Sequence, residues 1–126
     1  VLLGPLYGGL AAGIGSMFVD LLSGYTHYVV GTFLIKMLAA MACGFLCKRL
    51  TTTIKNPIPR TLISAFAGAL IIVVGYFLYE SLYLGYGLAA ASGVLGNIAQ
   101  TVFGTITVTI LYPLLMKANI QRIMSE

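Results

Sequence analysis

The sequence predicts an all-α integral membrane protein, a helical bundle, and three observations lead there. Hydrophobic residues make up 60% of the 126-residue chain and charged residues 8%, whereas a soluble domain is about 25% charged. Several apolar runs reach the roughly 20 residues that cross about 30 Å of hydrocarbon as a helix. Six of the seven Lys and Arg residues fall in the Lys48–Arg60 loop or the C-terminal region. The positive-inside rule places both regions in the cytoplasm. The net charge of +4 is therefore a topology signal and not a sign of nucleic-acid binding.

The first span covers about Val1 to Val19 and ends in the polar break "DLLSGYTHY". It begins inside an apolar run at Val1, without a basic leader or cleavage site. The expectation is that it continues a helix whose start precedes Val1. Small residues recur along it at Gly4, Gly8, Ala12 and Ser16, with a second row at Gly9 and Gly13. Such rows let helix backbones approach closely in lipid, within one bundle or against a partner. The second span covers about Tyr28 to Cys47. The loop "KRLTTTIKNPIPR" follows, with Asn56, Pro57 and Pro59 as turn and helix-start signals. The third span runs from about Thr61 to Leu82, and the last from about Asn97 to Lys117. Between them "YLGYGLAAASGVLG" reads as a short or broken helix, and the tail "ANIQRIMSE" as an aqueous or interfacial segment. Gly96 and Gly104, Ala65 and Ala69, and Ala40 and Gly44 are further candidates for close helix contact. Spans one and three then run outward, and spans two and four inward.

Three charges stay within or at the edge of the membrane: Asp20, Lys36 and Glu80. A charge at the bilayer centre costs roughly 2.5–3.5 kcal/mol on insertion scales, so each is expected to have a partner. All three could meet in the outer half of the bundle, with Lys36 snorkelling upward. Thr32 lies one turn above Lys36 on the same face, Tyr76 shares a face with Glu80, and Tyr79 and Tyr83 adjoin it. Asn97, Gln100 and Thr101 cluster at the outer end of the last span. Aromatic rings with amides and charges suit a pocket for a small, flat, polar ligand. The alternative is a structural ion-pair network with the tyrosines as an interfacial belt. His27 reads as a solvated loop residue. Cys43 and Cys47 share a helical face and read as reduced thiols, since no further metal ligands accompany them. No phosphate-binding glycine loop, zinc spacing or nucleophile elbow occurs, so no enzyme is expected, and any ATP hydrolysis belongs to another subunit.

Four stretches, "GPLYGGLAAGIGSMFVDLLSGY", "GTFLIKMLAAMACGFL", "GYFLYESL" and "GNIAQTVFGTI", together resemble the substrate-binding S components of energy-coupling factor (ECF) vitamin transporters. The likeness is to the riboflavin-type family that includes hydroxymethylpyrimidine and pyridoxine transporters, and it extends from Gly4 to about Lys117. It implies a six-helix fold in a bacterial cell membrane with cytoplasmic termini, a vitamin site near the outer ends of the later helices, and release by toppling of the subunit. The implied partners are a membrane scaffold and two ATP-binding subunits, which hold the ATP and magnesium, with no cofactor in this chain. On this resemblance the first family helix precedes Val1, the stretch Gly85–Leu95 is the short fifth helix, and residues 1–126 are one truncated transmembrane substrate-binding domain. The expected substrate-binding residues are Asp20, Thr32, Lys36, Tyr76, Tyr79, Glu80, Asn97 and Gln100. Gly4, Gly8, Gly9, Ala12, Gly13 and Ser16 are the expected packing or scaffold-docking residues. Side chains of both signs suit a neutral or weakly basic heteroaromatic, and crowding by Tyr76, Tyr79 and Tyr83 favours hydroxymethylpyrimidine or pyridoxine over riboflavin. The competing functions are a small channel or proton-coupled carrier using Asp20, Lys36 and Glu80 as a relay, and a non-transporting assembly subunit.

Overall fold

The computed structural model describes residues 2–118. Among them are four long helices: α1 (Gly4–Leu22), α2 (Val29–Leu50), α3 (Pro57–Leu78) and α4 (Ala91–Lys117). All four are long and apolar enough to cross a membrane. Each packs on the next in chain order, antiparallel to it. One end of the bundle therefore carries Asp20 and Glu80, and the other carries Lys48, Arg49, Lys55, Arg60 and Lys117.

Side chains are distributed as a bilayer demands. Large apolar residues such as Phe18, Leu38, Phe66, Val74 and Phe103 face outward. Small or polar ones such as Ala39, Thr61 and Ser64 are buried. Lipid tails solvate leucine as well as a protein interior does, so helices associate through close packing of small residues. Gly9 and Gly13 are buried against Met41, Met37 and Phe33 of α2. A Cβ at Gly13 would stand 2.9 Å from the Phe33 carbonyl oxygen, which leaves no room for a side chain. Gly44 fits in the same way against Pro5, and Gly68 against the Ala39 carbonyl on the α2–α3 seam.

The helix boundaries differ from the sequence reading in ways that local chemistry explains. α3 starts at Pro57 and not near Thr61. The Asn56 side chain caps it by accepting from the Ile58 N–H at 3.0 Å. Both prolines lie in the first turn, where a missing N–H costs nothing. α3 runs into a π-helical turn, Tyr79–Tyr83. Gly85 and Gly87, at φ of 74° and 56°, then reverse the chain. The expected separate short helix is a single 3₁₀ turn, Gly87–Ala90, that continues directly into α4. α4 thus begins at Ala91, six residues before the expected start at Asn97. The segment is weakly hydropathic, but alanine has the highest helix propensity. α1 ends at Leu22, past Val19, and α2 at Leu50, past Cys47. Gly96 and Gly104 are not close-contact positions, since a Cβ at either meets nothing within 4 Å. Residues 119–126 of the expected polar tail, and Val1, lie outside the described residues.

Candidate functional site

Two layers of polar side chains occupy the Asp20/Glu80 end of the bundle. The outer layer is aromatic. The ring of Tyr28, just before α2, lies 6.2 Å from that of Tyr79 and 6.5 Å from that of Tyr76. Tyr79 in turn stacks on Tyr83 at 5.0 Å and 18°. The Tyr28 hydroxyl donates to Glu80 Oε1 at 3.2 Å, and the Tyr79 hydroxyl donates to the His27 carbonyl at 2.7 Å. Glu80 is 8% exposed, and its second oxygen rests where a side chain on residue 93 would begin. Gly93 on α4 therefore makes the space for this carboxylate.

The inner layer joins three helices. The Tyr76 hydroxyl donates to Thr32 Oγ1 at 2.9 Å, and both residues are buried. One turn deeper, Lys36 Nζ donates to Gln100 Oε1 at 2.6 Å and stands 5.6 Å from the centroid of the Tyr76 ring. The ammonium thus gains a charge-assisted hydrogen bond and an aromatic face, two contacts that offset its removal from water. Lys36 and Gln100 line a cavity of about 320 Å³ that extends down the bundle. Its walls are mostly small: Ala39 and Ala40 from α2, Ala65 and Ala69 from α3, with Thr101 and Thr105 from α4.

The three charges do not meet as a triad. Glu80 pairs with Tyr28 and Lys36 with Gln100, while buried Asp20 Oδ2 has no hydrogen-bond partner. Helix geometry explains the separation. Lys36 lies two turns beyond Tyr28, about 12 Å along α2, so the level that serves Glu80 is out of its reach. Of the expected substrate-binding residues, the structure joins Thr32 with Tyr76 and Lys36 with Gln100. Asn97 is half-buried one turn before Gln100, and Tyr79 belongs to the aromatic layer. His27 takes part through its carbonyl, and its ring lies 4.7 Å from that of Tyr28.

The two rows of small residues on α1 divide. Gly9 and Gly13 pack within the chain. Ala12 lines the central cavity and Gly8 a gap between α1 and α4, while Gly4, at φ 75°, starts the helix and Ser16 is half-buried. Sequence reasoning missed Tyr28 and Gly93 as elements of this end. Ala65 and Ala69, expected at close helix contacts, border the cavity. Cys43, a free thiol, lines the cavity as well.

A profile of the family described as "ECF-type riboflavin transporter, S component" matches residues 1–117. A protein of Pyrococcus woesei named "Uncharacterized protein in gap 3'region" is 33% identical over 106 residues, or 84% of this chain and 67% of that protein. No solved structure matches the chain.

Proposed function

Because the chain belongs to the family of ECF-type riboflavin transporter S components, we propose that it is the membrane-embedded subunit that captures a small heteroaromatic vitamin or vitamin precursor for an ECF-type importer. The observation that carries this reading is the Lys36–Gln100 pair at the head of a small-walled cavity. An ammonium and a primary amide side by side offer several donors and one acceptor to the edge of a heteroaromatic ring. The Ala walls leave the volume for the ring itself. Asp20, expected among the substrate-binding residues, does not line this cavity. The Tyr76 ring gives the site an aromatic edge.

The volume favours a single ring with hydroxymethyl groups, hydroxymethylpyrimidine or pyridoxine, over riboflavin. About 320 Å³ lies at the low end of the range for ligand pockets, roughly 300–1,000 Å³. The Asp20/Glu80 end faces outside, and the basic end, with the C-terminus, faces the cytoplasm of a bacterial cell. A membrane scaffold and two ATP-binding subunits complete the importer and hold its ATP and magnesium. A proton-coupled carrier is less well supported, because Asp20, Lys36 and Glu80 are not hydrogen-bonded to one another.

The test is calorimetric titration of the purified full-length subunit, without ATP, with hydroxymethylpyrimidine, pyridoxine and riboflavin. Tight binding of one of the two single-ring compounds is the expected result. Preferential binding of riboflavin overturns the ligand assignment. Binding of none of the three overturns the function.

A further inference from the structure

The basic end of the bundle holds a second cavity, of about 380 Å³, where the start of α1, the end of α2, the start of α3 and the end of α4 come together. Its polar lining is Lys48, Thr51, Arg60 and Tyr112. Arg60 is 7% exposed, and its Nε is buried without a hydrogen-bond partner. A guanidinium cannot shed its charge in a protein as a lysine can. A buried Arg with an open donor therefore calls for an anion. The described part of the chain does not supply one. Glu80 lies about 30 Å further along the same helical segment as Arg60. Asp20 is near the far end of α1, about 24 Å from the turn that lines the cavity.

We infer that this cavity binds the phosphate of an anionic phospholipid headgroup. Phosphate matches the guanidinium fork and the nearby ammonium of Lys48. A lipid source follows from position: the cavity sits at the ends of four membrane-spanning helices, where headgroups lie. Anionic lipids are drawn to basic groups at such a surface. Leu2, Pro5 and Met116 line the cavity beside the cations and offer an apolar wall to the glycerol and first acyl carbons. This site is at the opposite end from the Lys36–Gln100 pair and does not depend on what binds there.

The experiment is native mass spectrometry of the full-length protein, together with its thermal stability, in the presence of phosphatidylglycerol, phosphatidylcholine or inorganic phosphate. The expected result is one retained phosphatidylglycerol and a higher Tm with that lipid alone. Arg60→Gln should weaken retention by at least about tenfold, the scale of one hydrogen bond to a charged group. Lys48→Gln should also weaken it; Lys48 is exposed, so this variant carries the test if Arg60→Gln does not fold. Equal retention of phosphatidylcholine overturns the proposal, as does wild-type retention in Lys48→Gln. Displacement of the lipid by millimolar inorganic phosphate shows a site for free anions and overturns the lipid assignment.

Discussion

The Lys36 ammonium donates to the Gln100 side-chain oxygen at 2.6 Å, bridging α2 and α4 across 64 residues of sequence. The partner of this intramembrane charge is therefore a neutral amide and not a carboxylate. Removing the lysine breaks a hydrogen bond to a neutral group and no direct ion pair. Lys36→Met should leave Tm unchanged or raised, yet weaken vitamin binding by about 10–100-fold, the worth of a charge-assisted hydrogen bond. Lys36→Arg should also bind weakly, because the planar fork is larger and directed differently. Titration calorimetry and thermal melts separate the two effects. Wild-type affinity in Lys36→Met would remove the lysine from the site.

Filling the cavity should separate binding from folding. Ala65 and Ala69 border it, so Ala65→Leu places three further carbons in space that the ligand needs. Vitamin binding should fall below detection while the protein still purifies and melts within a few degrees of wild type. A variant that binds normally would show that the ligand sits elsewhere, in the aromatic layer around Tyr28 and Tyr79.

Two neighbouring glycines on α1 should respond differently. A Cβ at Gly13 would press on the Phe33 carbonyl at 2.9 Å, whereas one at Gly15 meets nothing within 4 Å. Gly13→Ala should cost about 1–3 kcal/mol through overpacking. Gly15→Ala should be neutral or slightly stabilising, since alanine is the better helix former. Detergent-solubilised melts of the two variants are the measurement, and equal Tm values would contradict the α1–α2 packing.

The Glu80–Gly93 contact should show in a double-mutant cycle. A Cβ at residue 93 would fall 2.8 Å from Glu80 Oε2, so Gly93→Ala should destabilise the α3–α4 junction. Shortening the acid by Glu80→Ala in the same chain should recover part of the loss. The coupling should lie in the range of about 0.5–3 kcal/mol found for contacting residues. Strict additivity would mean that the carboxylate has left this position.

Orientation is open to labelling. Thr52 and Ser23 are both exposed, at opposite ends of α2 and α1. In a cysteine-free full-length protein, a cysteine at residue 52 should react only from the cytoplasm and one at residue 23 only from outside. Labelling of residue 52 from outside would reverse the topology and move the cavity head to the wrong face for uptake.

The sequence by itself determined the membrane class, the four spans and the separation of a basic end from an acidic, tyrosine-rich end. Each of these depends on the length and composition of a segment, which can be read without knowing its neighbours. Helical spacing also brought out Thr32, Lys36, Tyr76 and Gln100, since periodicity shows which residues share a face. It cannot show which faces meet. That Lys36 turns to Gln100 and Glu80 to Tyr28 depends on the relative heights of α2, α3 and α4, set by packing at Gly68, Gly75 and Gly93. The small residues carry the same ambiguity. Gly9 and Gly13 on one helix and Ala65 and Ala69 on another have the same four-residue spacing. The first pair is closed by the side chains of α2, and the second is left open as a cavity wall. A missing side chain permits either outcome, and only the position of the facing helix decides between close contact and empty space.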